Sequence, residues 1–213
     1  MRPRFADPRI GIFYSNRSAF SHENRGVEAR YYANRWRLEP ADEAAYRQGR
    51  LTEPKQPIVF YVDHAFPESW KKYIKAGVEE WQKAFEEIGF KHAIVAMDFP
   101  TDDPEFDPDN LKYSCVRYSP SLVANAMGPS WTDPRTGEIL NASLYLFDGM
   151  VSGLQNDRKL TTMAVDPGVR TSFLPEEIVG DLIRTSVMRE TGINLGLLYN
   201  AGASSVYPVD SLR

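Results

Sequence analysis

Residues 58–97 restrict the fold of this chain more than any other stretch. Residues 58–62 read Ile-Val-Phe-Tyr-Val, an apolar run of strand length, and a second apolar run covers residues 93–97. Between them Trp70, Ile74, Val78, Trp81, Phe85 and Ile88 recur at spacings of four and three, which lines them along one stripe of a helix. Pro67 suits the first turn of that helix and Gly89 its end. A crossover of this length joins parallel strands in the right-handed sense. The spacing therefore predicts a sheet with a helix packed on it.

The flanking segments extend this plan. Residues 10–14 and 27–38 are rich in aromatic and β-branched side chains and are separated by a polar stretch, which predicts an N-terminal hairpin whose arginines form a solvated strand face. Pro40, Gly49, Pro54 and Pro57 mark a connector with a short helix at residues 42–47. An acidic, proline-broken loop at residues 98–110 lacks the glycine and closing glutamate of a calcium loop. It is read as a solvated loop. Strands are expected at 113–118 and 123–127. A turn at 133–137 precedes a run at 138–147 that is read as one strand, the second arm of a hairpin at the sheet edge. Two helices follow, at 148–163 and 175–195, with Gly196 as a C-cap. The fold class is α/β (α+β). Residues 1–56 are expected to form the hairpin and connector, and residues 57–213 the main domain.

Composition removes several function classes. The chain has 213 residues, of which 42% are hydrophobic and 25% charged, a size and balance suited to one domain. A formal net charge of −4 gives no basic field for nucleic acid or anionic lipid. No apolar run reaches the ~20 residues of a membrane helix, and the start has no signal-peptide core. The chain is thus expected either to stay where it is made or to be cut from a longer precursor. The single cysteine, Cys115, excludes an internal disulfide and a cysteine-based zinc site. With no histidine near it in sequence, it reads as a buried structural thiol.

The chemistry turns on the segment Met188-Arg-Glu-Thr-Gly-Ile-Asn-Leu-Gly-Leu-Leu-Tyr-Asn200. Its frame resembles the metzincin pattern H-E-x-x-H-x-x-G-x-x-H, in which two histidines one turn apart on a helix and a third beyond a helix-breaking glycine hold zinc. Laid on that pattern, the glutamate falls on Glu190, the general-base position, and the glycine on Gly196. The ligand positions fall on Arg189, Ile193 and Tyr199. Every histidine is absent. Further segments carry the resemblance: Leu174-Pro-Glu-Glu-Ile-Val-Gly-Asp-Leu-Ile-Arg184, Asn200-Ala-Gly-Ala-Ser-Ser205, Asp133-Pro-Arg-Thr-Gly-Glu-Ile-Leu140 and Asn34-Arg-Trp-Arg-Leu38. Together they resemble a family of large bacterial zinc-dependent metalloproteases with a metzincin catalytic domain, over nearly the whole chain.

The resemblance implies a twisted mixed β-sheet with an antiparallel edge strand, one helix packed on the sheet and an active-site helix near the C-terminus. It also implies that Ile139, Leu140, Asn141, Ala142, Ser143 and Leu144 form the edge strand on which an extended peptide docks through backbone hydrogen bonds. Zinc is the family cofactor and export to the periplasm or outside the cell the family habit, yet no signal peptide is present and no cofactor is expected. Arginine has no lone pair to give and isoleucine has no donor atom. His22, His64 and His92 offer no pair at helical spacing. The methionine turn implied downstream is not reached before Arg213, so a truncated domain is expected. Three readings remain open: a catalytically inactive domain that keeps a peptide-binding cleft, a zinc peptidase with atypical ligands or completed by another chain, and a remnant. The sequence does not specify the peptide or the oligomeric state.

Overall fold

The structure, a computed structural model, describes residues 1–21, 26–200 and 202–211. Strands β1 (Tyr14–Ser21) and β2 (Gly26–Ala33) form the antiparallel N-terminal hairpin, and α1 (Glu43–Arg47) sits in the connector, capped by the Asp42 carboxylate, which accepts from the Ala45 amide at 2.9 Å. The hairpin begins later than the apolar pattern predicts. The polar stretch itself forms β1, while residues 10–13 run beside the chain that follows the C-terminal helix. A ribbon open to solvent needs no apolar alternation, so the aromatic run at 10–14 was the weaker guide to strand position.

The crossover is as the spacing predicts. β3 (Ile58–Val62) is followed by α2 (Glu68–Glu79) and α3 (Gln82–Glu87), and β4 (Ile94–Asp98) pairs parallel to β3 with Ile58 opposite Ile94. Ile58, Phe60 and Val62 are buried together with Ile74 and Val78 of α2. The expected single helix breaks at residues 80–81. There the Trp81 indole donates to the Met188 carbonyl at 2.8 Å, and the Gln82 amide oxygen accepts from the Ala93 amide at 2.8 Å. Each such bond contributes about 1 kcal/mol net, enough to offset helical bonds lost at the break.

β5 (Ser114–Ser119) pairs parallel to β3, and β6 (Ala126–Met127) is a two-residue strand. β7 (Ser130–Asp133) and β8 (Glu138–Ala142) make a separate hairpin around the Asp133 turn, and β9 (Leu144–Phe147) pairs parallel to β5 and antiparallel to β6. The main sheet therefore runs β4-β3-β5-β9-β6, a mixed sheet whose antiparallel edge is β6.

Here the expected edge strand is corrected. Residues 138–147 are not one strand but two, split at Ser143, and β9 lies inside the sheet. The Asn141 side-chain amide donates to the Leu111 and Tyr113 carbonyls at 3.0 and 2.7 Å, and the Ser143 amide donates to the Pro129 carbonyl at 3.0 Å. These bonds divert the backbone between the two strands. Ile139, Asn141, Ala142, Ser143 and Leu144 are buried, and the Ile139 amide is bonded to the Arg35 carbonyl at 2.9 Å. The six residues from Ile139 to Leu144 thus cover the end of β8, the break and the start of β9, with Leu140 alone exposed, and none of them is the edge of the main sheet.

α4 (Asp148–Thr162) and α5 (Glu176–Asn194) complete the chain's regular structure, and α5 lies across α2. Glycines permit that approach. A Cβ on Gly77 would stand 2.6 Å from the Arg184 carbonyl oxygen and 2.8 Å from the Val187 Cβ, and one on Gly180 would enter the Tyr73 ring at 2.1 Å. Among the described residues no helix is long and apolar enough to cross a membrane.

Gly77→Ala is expected to lower unfolding stability by about 1–3 kcal/mol, the usual cost of overpacking, although alanine is the better helix former. Urea denaturation of the two proteins measures it; an unchanged or raised midpoint would mean that the helices do not cross this closely.

Candidate functional site

α5 begins at Pro175, with Glu176 and Glu177 placed where the helix dipole favours negative charge. Lys72 of α2 reaches Glu176 at 3.1 Å, and Arg184 reaches Glu80 at 3.1 Å. The helix ends in two bonds around a left-handed glycine. The Gly196 amide donates to the Ile193 carbonyl at 2.9 Å, and the Leu197 amide to the Gly192 carbonyl at 3.0 Å. Gly196 has φ +98°, and a Cβ there would meet the Asn34 carbonyl oxygen at 2.6 Å. Both demands select glycine.

The chain beyond this turn is held by the N-terminal segment. Phe13 donates to the Gly196 carbonyl at 2.8 Å, and Leu198 donates to the Gly11 carbonyl at 2.9 Å. Trp36 adds an indole bond to the Asn194 carbonyl at 2.9 Å. The amide of Asn194 itself is fully buried, and neither its oxygen nor its nitrogen has a hydrogen-bond partner among the described residues.

Arg189 stands on the solvent side of α5 with half its side chain exposed, and its guanidinium donates to the Glu190 carboxylate at 2.7 Å. Glu190 is 4% exposed. The Glu190 carboxylate, which the sequence pattern aligned with a general base, is thus in the interior and paired to Arg189, which the pattern aligned with the first ligand. Ile193, one turn on, is half buried, and Tyr199 is 72% exposed past the glycine turn. These side chains do not fit zinc. A guanidinium repels a cation and has no lone pair, isoleucine has no donor atom, and one phenol oxygen is no substitute for three ligands. His64 lies beside Asp63 and His92 beside Glu53, both exposed; His22 lies outside the described residues. Among the described residues no three His, Cys, Asp or Glu side chains converge as metal ligands. The loop at 98–110 follows that pattern: its aspartates bond backbone amides two residues ahead, as in Asp103 to Glu105 and Asp107 to Asp109.

A cleft of about 1170 Å³ opens beside Arg189, between the residues leading into β6, α4 and α5. Ala126, Met150, Leu154, Leu182 and Ser186 line it along with Arg189. β6 pairs only with β9, so its outward edge pairs with no other described strand. α4 lies close under this segment because the Gly149 amide donates to the Ser121 carbonyl at 2.9 Å, and a Cβ on that glycine would collide with the Leu122 carbonyl at 2.4 Å. Sequence reasoning placed the edge elsewhere and missed the α4 contribution. A two-residue strand carries no periodicity, and only the glycines of α4 hinted at a close approach.

Cys115 is fully buried, and desolvation pushes its thiol up to about 12. It is 0% exposed, outside the cleft lining, and inert as a nucleophile.

The mixed sheet with an antiparallel edge, the helix packed on it and the long C-terminal helix carrying Glu190 and Gly196 make up an α/β fold with the elements expected from the sequence. Residues 171–213 match a family model described as Met-zincin, which supports a metzincin-like family for this chain. Residues 1–41 match a second model, described as a domain of unknown function, DUF5117. No curated protein matches the chain. No solved structure matches it.

Two outcomes follow. Arg189→Met strands the buried Glu190 carboxylate and is expected to cost about 1–2 kcal/mol, discounted because the guanidinium is half exposed. Adding Glu190→Gln should restore most of it, and a double-mutant cycle in urea that found no coupling would remove the ion pair's structural role. Cys115 should resist a thiol reagent at pH 8 in the native protein and react fully once unfolded; fast native labelling would contradict its burial.

Proposed function

We propose that this chain is a catalytically inactive metzincin-like module that binds an extended polypeptide segment in the cleft beside β6. The observation that carries the inactive half of this reading is the Arg189–Glu190 pair at 2.7 Å. Peptidase chemistry of this family needs a free carboxylate beside a metal-bound water. Here a fixed positive charge stands at the first ligand position and already neutralises that carboxylate. Ile193 and Tyr199 supply no replacement for the missing imidazoles.

The binding half is supported by the cleft and the unpaired edge of β6. An open strand edge offers amides and carbonyls at the spacing an extended peptide needs, and that mode of recognition depends little on side-chain identity at the former metal position. Loss of zinc chemistry therefore leaves the docking physics intact.

Purified protein is expected to carry no stoichiometric zinc and to cleave neither casein nor a fluorogenic peptide pool. Near-stoichiometric zinc together with chelator-sensitive cleavage would sink the reading. The triple variant Arg189→His, Ile193→His, Tyr199→His should gain zinc binding, because a formed three-histidine site contributes on the order of 10 kcal/mol. Peptide-array binding should be lost in Thr185→Trp, which fills the cleft from an exposed position. Undiminished binding by that variant would move the peptide elsewhere.

A further inference from the structure

The chain exposes more surface than its mass calls for. A compact protein of 24.2 kDa has about 10,000 Å² of accessible surface, whereas this chain has 13,792 Å², a surplus of roughly 3,800 Å². The apolar part of the surface is unevenly placed. Among the described residues, 13 of the 27 exposed large apolar side chains fall in residues 5–31 and 197–209, less than a fifth of the chain. Ile10 is 60% exposed, Val27 68%, Tyr199 72% and Val206 79%.

These two stretches adjoin. Ile12 bridges Leu197 in antiparallel fashion, and a groove of about 440 Å³ between them is lined by Ile10, Ile12, Tyr14, Tyr31 and Leu198. None of these residues lines the cleft beside β6. Residues 4–6 run along the end of β2, where Ala6 donates to the Tyr31 carbonyl and Ala33 to the Arg4 carbonyl, so the edge open to another strand is that of β1. A two-stranded ribbon is marginal alone, Arg17 stands directly opposite Arg30, a repulsive pairing, and β1 pairs with no described strand besides β2.

We propose that this face is the contact between two copies of the chain, related by a two-fold axis, with the β1 edges adjoining antiparallel and the groove around Ile10 and Leu198 covered by the partner copy. A permanent dimer buries about 2,000–5,000 Å² in all, hence about 1,000–2,500 Å² from each copy. The surplus accommodates that area. A strand edge that meets its own copy about a two-fold axis satisfies both sets of backbone groups with one sequence, which is the condition for a closed, isologous contact. Pairing also removes the open edge, a standing hazard for a ribbon of this length. The formal charge of −4 per chain is small, and the ribbon carries both signs, with Glu28 paired to Arg30, so repulsion between copies does not oppose the contact. This surface is independent of the cleft, and its test does not involve zinc or peptide.

Light scattering of the whole chain at micromolar concentration should give twice 24.2 kDa. Ile10→Glu with Leu198→Glu, both at exposed positions, should shift it to monomer while thermal unfolding stays cooperative. Ser18→Cys on β1 should yield a disulfide-linked dimer on mild oxidation, and Asn156→Cys on α4 should not; the native Cys115 is buried and does not compete. A wild-type mass of one chain at every concentration overturns the proposal. So does a dimer that survives the double charge substitution, and so does a dimer in which the Ser18 cysteines fail to join.

Discussion

The crossing of α2 and α5 is the contact on which the remaining architecture depends. Gly77 faces the Arg184 carbonyl of α5 and Gly180 the Tyr73 ring of α2 at distances where a single methyl group would collide. That approach sets α5 against the helix layer on the sheet and fixes where its last turn emerges. Arg184 to Glu80, partly buried, and Lys72 to Glu176, largely exposed, then add charge pairs along the same seam, of which the exposed one contributes little by itself. Close packing positions the helix, and the charges follow.

From that position the end of α5 meets three elements. Trp81 of the helix break bonds its backbone, Trp36 bonds its last carbonyl, and the N-terminal residues 11–13 pair with the strand-like segment beyond Gly196. Residues 11–13, inside the segment that matches one family model, are therefore hydrogen-bonded to residues 196–198, inside the segment that matches the other. The end of α5 is thus held from three sides. Arg189 pairs a carboxylate that would otherwise be buried without a partner. The buried Asn194 amide has no such partner among the described residues.

The β-α-β crossover, the short capped helix at Asp42, the turn at Asp133 and the long helix ending at Gly196 were legible because each rests on local rules. Apolar spacing, proline at a first turn and glycine at a left-handed cap act within a few residues of themselves. The edge strand was not legible. Residues 138–147 alternate well enough to read as one strand, yet the Asn141 side chain bonds two carbonyls some thirty residues earlier in sequence and turns the chain out of line. Likewise β1 occupies a polar stretch because its setting, a solvated ribbon, asks nothing of its pattern.

The sequence by itself determined the absence of zinc ligands at Arg189, Ile193 and Tyr199, since donor chemistry belongs to the residue type wherever the fold puts it. It also determined the class of fold, through periodicity. Only the tertiary structure decided that Glu190 is buried against Arg189, that the antiparallel edge is Ala126–Met127, and that the cleft is walled by α4 and α5. Those facts depend on which distant segments come within a few ångströms of one another, and no local pattern in a chain encodes its long-range distances.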